Sequence, residues 1–356
     1  MFFGAIQLGL MAACVVLFVP MGMAGWHLSR NKVLFFSGAL FITLAVCIHL
    51  IPYFPSMFNN QSQTAVIMNQ DFSSSSSSCI NSVNYVTFYS NFDGFSWNWD
   101  NSSRSLVNDD DCGFSKLGRV DVSDLLNGSW VVVAGDSQAR LFMVSLLDLV
   151  LGSDEMEKIH EDLFKRHSDY HIVVEKIGLK MDFIWSPYVS NLTDVVTGFK
   201  RNGTYPDVLV MGSGLWHMLH FTNYTEYGVD LRLLRDSLGE LVQVGNTDGV
   251  SARPDSGRTS HLFWLGMPTL INRLLNTEEK RVKMTREMCN AYDQELYNSK
   301  ILRQDGGSFL LLDVGMLSSR CGFDCSLDGM HYNDVVYEAS VQVMLNALLI
   351  ESHQKL

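Results

Sequence analysis

The chain is 356 residues long, 47% hydrophobic and 18% charged, with 26 Lys+Arg against 38 Asp+Glu for a formal charge of −12. At roughly 100–200 residues per domain, that is enough for one large domain or two small ones. The balance excludes a disordered chain, a collagen-like chain and a basic nucleic-acid binder, but not a membrane protein, because averages hide where the apolar residues sit.

They sit at the N-terminus. Residues 1–52 carry no Asp or Glu and only two bases, Arg30 and Lys32, so the remainder holds 24 Lys+Arg against 38 Asp+Glu, a charge of −14. Phe2 to Trp26 has 19 of 25 residues in the hydrophobic set, Val33 to Ile51 has 15 of 19, and neither carries a charge. A helix crosses a bilayer core of roughly 30 Å with about 20 apolar residues, so both are long enough. Residues 1–52 are therefore expected to form a membrane anchor. Arg30 and Lys32 lie in the polar turn between the two segments, and the positive-inside tendency puts that turn in the cytosol. The body then lies on the lumenal side. A cleaved signal peptide at Phe2–Trp26 is the alternative, although the stretch lacks a basic n-region and is long for an h-region of about 7–15 residues. The orientation of the body is the same either way.

Asn-x-Ser/Thr sequons at Asn60, Asn101, Asn127, Asn191, Asn202 and Asn223 all follow the apolar segments, which suits a lumenal glycoprotein. Of seven cysteines, Cys14 and Cys47 sit in the apolar segments and Cys79, Cys112, Cys289, Cys321 and Cys325 in the body. In an oxidising lumen those five are expected to give two disulfides and one free thiol, with the pairing open. Cys321 and Cys325 with His331 could contribute to a zinc site, but no fourth ligand has the expected spacing.

Residues 53–82 read as a flexible stem, polar and rich in Asn, Gln and Ser, with six serines from Ser73 to Ser78. Such a segment buries too little apolar area to repay its ordering. Order is expected to resume around Tyr85, where Phe88, Tyr89, Phe92, Phe95, Trp97 and Trp99 follow, and the catalytic body spans 83–356. The aromatics read either as a β-like cover or as a platform for stacking sugar rings.

From Trp130 the pattern alternates. Trp130–Ala134 is a continuous apolar run suited to a doubly covered parallel strand, and an amphipathic run follows from Gln138 to Leu151. Further strand-like runs are His171–Ile177, Met181–Trp185, Asp207–Met211, His261–Leu265 and Phe309–Leu312. Helical patterns fit Asn191–Lys200, Asp230–Val244, Thr277–Leu302 and Asn333–Ile350. The alternation predicts a three-layer α/β fold with a mostly parallel sheet.

Gly135-Asp136-Ser137 lies where the first of these strands runs into a helix. That places a serine hydroxyl at the C-terminal end of a strand, beside backbone N–H groups that can stabilise an oxyanion. A serine helix cap is the plainer alternative. Near the C-terminus, Asp328-Gly-Met-His331 can put an imidazole beside its carboxylate on one short loop, the arrangement a serine needs to lose its proton. A capping Asp and a surface His would look the same in isolation. Paired acids such as Glu278-Glu279 read as solvated charge.

Together, in the order Ser…Asp…His within one α/β domain, these residues resemble the SGNH/GDSL hydrolase superfamily, and within it the PC-esterase branch. That branch includes plant trichome-birefringence-like polysaccharide O-acetyltransferases and the lumenal domain of sialic-acid O-acetyltransferase. The likeness covers roughly Tyr85 to Leu349. His261-Leu-Phe-Trp-Leu-Gly-Met-Pro, Leu275-Asn-Thr-Glu-Glu-Lys-Arg, Cys289-Asn-Ala-Tyr-Asp and Asp328-Gly-Met-His331 are closer to the sialic-acid type. The anchored, compact chain also resembles plant Golgi proteins of cell-wall acetylation.

The resemblance implies Ser137 as nucleophile, His331 as general base and Asp328 as its orienter, with the Ser137 N–H as one oxyanion donor. A second should come from the loop Met211-Gly-Ser-Gly-Leu-Trp-His217. Trichome-birefringence-like proteins have an Asn where Gly212 stands, so backbone N–H groups of Gly212 or Gly214 must serve instead. Arg140, one helical turn beyond Ser137, could meet an anionic group or be a plain surface arginine. Trp216, His217 and His220 could line the pocket, and a metal at His217 and His220 is a weak alternative.

The resemblance further implies a Golgi-membrane protein with its catalytic domain in the lumen and no bound cofactor. It would transfer acetyl to a polysaccharide or oligosaccharide acceptor such as xyloglucan or xylan, or act as an acetyl-transfer intermediate. The donor would derive from acetyl-CoA, which requires a multi-span membrane partner or lumenal carrier, and other acetyltransferases could receive the group. A lumenal carbohydrate acetylesterase using water, and a non-catalytic carbohydrate-binding scaffold, are the other readings. The acidic body leaves no place for nucleic acid.

Overall fold

The computed structural model describes residues 83–91, 94–99, 114–165, 167–241 and 260–353. The expected membrane segments 2–26 and 33–51, the stem 53–82, and Asn60, Asn101, Cys79 and Cys112 lie outside the described residues. Among the described residues, no helix is long and apolar enough to cross a membrane.

In chain order the elements are β1 (Val86–Asn91), β2 (Gly94–Trp99), α1 (Arg119–Leu125), β3 (Trp130–Gly135), α2 (Ser137–Leu151) and α3 (Ser153–Leu163). Then come β4 (Tyr170–Val174), β5 (Leu179–Trp185), α4 (Val189–Asn202), β6 (Val208–Gly212), α5 (Leu215–His220) and α6 (Tyr224–Ser237). The last six are β7 (His261–Leu265), α7 (Glu278–Lys283), α8 (Arg286–Asn298), β8 (Leu310–Leu312), α9 (Val314–Cys321) and α10 (Asp334–His353).

Six strands pair in the order β4-β5-β3-β6-β7-β8. All neighbours are parallel except β4, which runs antiparallel to β5 at one edge. Side chains alternate across the sheet, as the strand period of two requires. Val131, Val133, Val208, Val210, Phe263 and Leu265 pack with Phe142 and Leu146 of α2 and Tyr337 and Met344 of α10. Val132, Ala134, Leu209, Met211, Leu262 and Trp264 face the opposite layer, with Leu192 of α4, Leu231 of α6 and Tyr292 of α8. Full burial of one such side chain is worth roughly 1.5–3 kcal/mol, and cover on both faces explains why these runs are apolar without interruption. The fold is three-layer α/β with a mostly parallel sheet.

The aromatic run forms a separate antiparallel hairpin, β1 with β2. Trp97 and Trp99 are only 2% and 5% exposed, and the Trp99 Nε1–H donates to the Val83 carbonyl. Those two rings are spent on packing, so the structure favours the cover and removes them from any sugar platform.

Three element boundaries differ from expectation for local reasons. The run His171–Ile177 is strand only to Val174, where Glu175–Ile177 turns into a single 3-10 turn. The helix expected at Asp230–Val244 begins at Tyr224, because the Asn223 side chain accepts from the Glu226 N–H, and it ends at Ser237. The helix expected over Thr277–Leu302 is two. Thr277 caps α7 by accepting from Lys280 N, and Thr285 caps α8 by accepting from Met288 N. A threonine that satisfies the first free N–H groups of a new helix breaks the old one.

Candidate active site

Each residue of Gly135-Asp136-Ser137 has a separate physical reason. Gly135 ends β3 in register with Trp185 on one side and Gly212 on the other. A methyl group there would come within 2.4 Å of the Gly212 carbonyl oxygen and 2.7 Å of Ala139 Cβ. Only glycine lets the three elements converge. Asp136 caps α2, its Oδ1 accepting from Gln138 N at 3.0 Å. Ser137 is the first helical residue, and its half-buried hydroxyl sits among the N–H groups that open a fifteen-residue helix.

Asp136 is 2% exposed, and burial pushes its carboxyl up to about 6, against the pull of the Gln138 N–H and of His331. Between about pH 4 and 6 the folded chain keeps a proton there that the unfolded chain has released. Stability therefore falls as pH rises through that window and is flat above it. Asp136→Asn keeps the capping oxygen, so it is expected to raise Tm at pH 7 and remove the fall between pH 4 and 6. Thermal denaturation across that range checks this, and a Tm at pH 7 no higher than the parent's contradicts it.

The second half of the site arrives from the C-terminal end. Ser137 Oγ is 2.8 Å from His331 Nε2, and His331 Nδ1 is 2.9 Å from Asp328 Oδ2. With Asp328 accepting the Nδ1 proton, Nε2 is left to accept from Ser137. Asp328 Oδ1 also accepts from the backbone N–H groups of His331 (2.8 Å) and Met330 (3.1 Å). Burial works to raise the Asp328 carboxyl, but these bonds and the His331 charge outweigh it and hold the group down at about 2. It is a carboxylate at any pH where the site would work. His331 and Asp328 side chains keep 26% and 35% of their surface, so the base is reachable from solvent.

Gln138, not singled out from the sequence, joins the two halves. Its buried amide donates to the Met330 carbonyl at 2.9 Å and its Oε1 accepts from the Tyr337 hydroxyl at 2.7 Å. The residue next to Ser137 thus fixes the backbone next to His331. From the other side, Ile271 N donates to the Gly329 carbonyl at 2.8 Å. Cys321 and Cys325 form a disulfide just ahead of this loop, and Cys289 carries a free thiol. The zinc alternative loses its donors to that bond and to the Ser137–His331 contact.

At the expected oxyanion loop, Gly212 lies level with Gly135. A methyl group at Gly212 would meet the Leu265 carbonyl oxygen at 2.8 Å and Leu265 Cβ at 2.9 Å, so an Asn could not stand here without moving β7. Ser213 donates its hydroxyl to the Pro187 carbonyl at 2.8 Å, which removes it as a side-chain donor. Gly214 opens α5, which carries Trp216.

Two candidates are corrected. Arg140 is neither an anion clamp nor a surface arginine: it is buried, its Nη1 donates to the Lys165 carbonyl (2.9 Å) and its Nη2 to that of Ser168 (3.3 Å). Burial lowers its pKa, against the attraction of Asp169. His217 does not line a pocket: it is buried with Nδ1 2.7 Å from the Tyr292 hydroxyl, and burial lowers its pKa. Trp216 is half-buried, with the exposed His220 ring 4.9 Å away. Asn127, Asn202 and Asn223 are exposed, and Asn191 is partly exposed on α4.

The site unites a serine at a helix start, an imidazole in contact with it and a carboxylate that orients the imidazole, which is what nucleophilic acyl chemistry requires. No protein-family model matches the chain. Among solved structures, LAE5, an alpha/beta hydrolase enzyme from the metagenome of Lake Arreo, Spain, aligns over 63% of this chain and 96% of its own at 16% identity and a TM-score of 0.37. A catalytic mutant of Axe2, an acetylxylan esterase from Geobacillus stearothermophilus, aligns over 66% of this chain and 96% of its own at 11% identity and a TM-score of 0.36. Likenesses of that size carry no weight for chemistry. Protein ALTERED XYLOGLUCAN 9 of Arabidopsis thaliana is different in kind: it is 52% identical over 372 residues, an alignment covering 99% of this chain and 100% of that one. Identity at that level along both whole lengths means that the chain belongs to the ALTERED XYLOGLUCAN 9 family.

Proposed function

We propose that the protein is a serine-dependent O-acetyltransferase, or an acetyl-transfer intermediate, acting on cell-wall polysaccharides such as xyloglucan, in the Golgi lumen. The observation that carries the reading is the Ser137–His331–Asp328 chain of hydrogen bonds, at 2.8 and 2.9 Å, at the C-terminal edge of the parallel sheet. The relative's name supplies the polymer, and the sequons and apolar N-terminus support the compartment.

His331 Nε2 takes the proton of Ser137 Oγ as that oxygen attacks the acetyl carbonyl. The oxyanion forms beside the Ser137 N–H, with Gly212 or Gly214 N–H as the second donor. His331, now charged and held by Asp328, returns the proton to the leaving group. In the second half a sugar hydroxyl gives its proton to Nε2 and attacks the acetyl-Ser137 carbonyl, which regenerates Oγ–H. The donor is acetyl-CoA-derived and reaches the lumen through a membrane partner.

Incubating the full-length protein with an acetyl donor and xyloglucan oligosaccharide tests this by mass. The expected products are a chain heavier by one acetyl group at Ser137 and an acetylated oligosaccharide. Free acetate with no acetylated sugar would make the protein an esterase, and an unmodified Ser137 with neither product would end both enzymatic readings.

A further inference from the structure

The C-terminal sheet edge carries a group of aromatic side chains that the acyl chemistry does not use. Trp185 ends β5 in register beside Gly135, and Gly135 lies beside Gly212, so Trp185 and the 212–216 loop flank the strand end that presents Ser137. Their rings meet: Trp185 and Trp216 lie 5.5 Å apart at 86°. His167 stacks on Trp185 at 4.7 Å and 23° and meets Trp216 edge-on at 5.1 Å. Tyr188 continues the row to Trp216 at 6.4 Å and to Phe221 at 5.4 Å. His167 is exposed, Phe221 is 54% exposed, and Trp185, Tyr188 and Trp216 are half-buried.

Arg140 builds this surface from below. Its two bonds hold the carbonyls of Lys165 and Ser168, on either side of His167, and its guanidinium lies 5.1 Å from the Trp185 ring centre. His167 adopts φ 56°, a left-handed backbone uncommon for a residue with a side chain.

The chemistry of the wall selects its ligand. Each member is an aromatic ring, and Trp185, Tyr188 and Trp216 carry a polar atom on the ring edge, so the surface is apolar on its faces and hydrogen-bonding at its rims. A sugar ring has the complementary form, with C–H faces and hydroxyl edges. An aliphatic chain would leave the polar edges unmatched. An anionic ligand would find the Arg140 guanidinium, which lies against Trp185, already bound to carbonyls.

We infer that His167, Trp185, Tyr188, Trp216 and Phe221 form the acceptor subsite, stacking one ring of a neutral polysaccharide so that a hydroxyl is held beside Ser137, with Arg140 as the positioning residue. This rests on the acyl-transfer reading for the acceptor's role, and on the ring geometry alone for sugar binding.

The full-length Ser137→Ala protein, titrated calorimetrically with xyloglucan oligosaccharide, separates the two. Added Trp216→Ala is expected to weaken binding about tenfold and Phe221→Ala several-fold. Arg140→Met should weaken it with loss of the His167–Trp185 contact, seen as changed Trp fluorescence. Tyr89→Ala, on an exposed ring of the β1–β2 hairpin, should bind within twofold of the parent. If Trp216→Ala does not fold, the exposed Phe221 carries the test. No binding by the parent, parent-like binding by the folded wall variants, or loss with Tyr89→Ala overturns the subsite. Wall-dependent binding with no acetyl ever found on Ser137 overturns the transfer reading and leaves the sugar site standing.

Discussion

Ser137→Ala is expected to leave a folded protein on which no acetyl-enzyme forms and whose transfer rate is lower by roughly 10⁴–10⁶-fold. The expectation separates chemistry from stability because different atoms carry them. The α2 cap is the Asp136 carboxylate, and the tie between the two halves of the site is the Gln138 amide. Removing Oγ costs only the bond to His331 Nε2, which for a half-buried hydroxyl is about 1 kcal/mol. Intact mass after exposure to an acetyl donor, beside the Tm of parent and variant, reads both. Full polymer acetylation in a null plant line complemented by this variant would mean that Ser137 is not the nucleophile.

Asp328→Asn is expected to cost about 10⁴-fold in rate with the loop intact. The substituted side chain keeps Oδ1 for the His331 and Met330 N–H groups, which shape the turn, but puts an amide where Oδ2 accepts from the imidazole. The imidazole then carries its proton on Nε2 and cannot accept from Ser137. Because the Asp328 carboxyl is held at about 2, below its ordinary 3.8, its contribution to stability is complete above about pH 4 and is lost as pH falls towards 2. No activity change above pH 4 belongs to its titration. The pH–rate profiles of parent and variant, with peptide amide exchange to confirm the loop, check both statements. A rate within tenfold of the parent would remove Asp328 from the triad.

What the sequence revealed and what it hid follow one division. Continuous apolar runs announced β3, β6 and β7, because a strand covered on both faces has no polar position to spare, whereas β5 alternates, with Lys180 and Asp182 between its buried apolar residues. Gly-Asp-Ser and Asp-x-x-His were legible because each packs its chemistry into a few consecutive residues. Gln138 was adjacent to the nucleophile and still invisible, since its partners Met330 and Tyr337 lie 192 and 199 positions away. The aromatic wall draws on β5, α5 and three loops, which meet only once strand order is known. Arg140 looked like a binding residue because helical spacing shows that a side chain is one turn from Ser137, but not which carbonyls wait for it. The single helix read across Thr277–Leu302 failed because a threonine with the right neighbour caps a new helix as readily as it continues an old one.

The contact between Ser137 and His331 spans 194 residues of chain, and Gln138 crosses the same distance to Met330. During synthesis the nucleophile's strand and helix leave the ribosome long before the base exists. In the proposed mechanism the serine is chemically ordinary while most of the polypeptide is being made, and it becomes reactive only when the loop carrying Asp328 and His331 closes against α2. Closure over so long a loop carries a large entropic cost and comes late in folding. In the proposed mechanism a nascent chain that ends before His331 cannot acquire an acyl group at this serine.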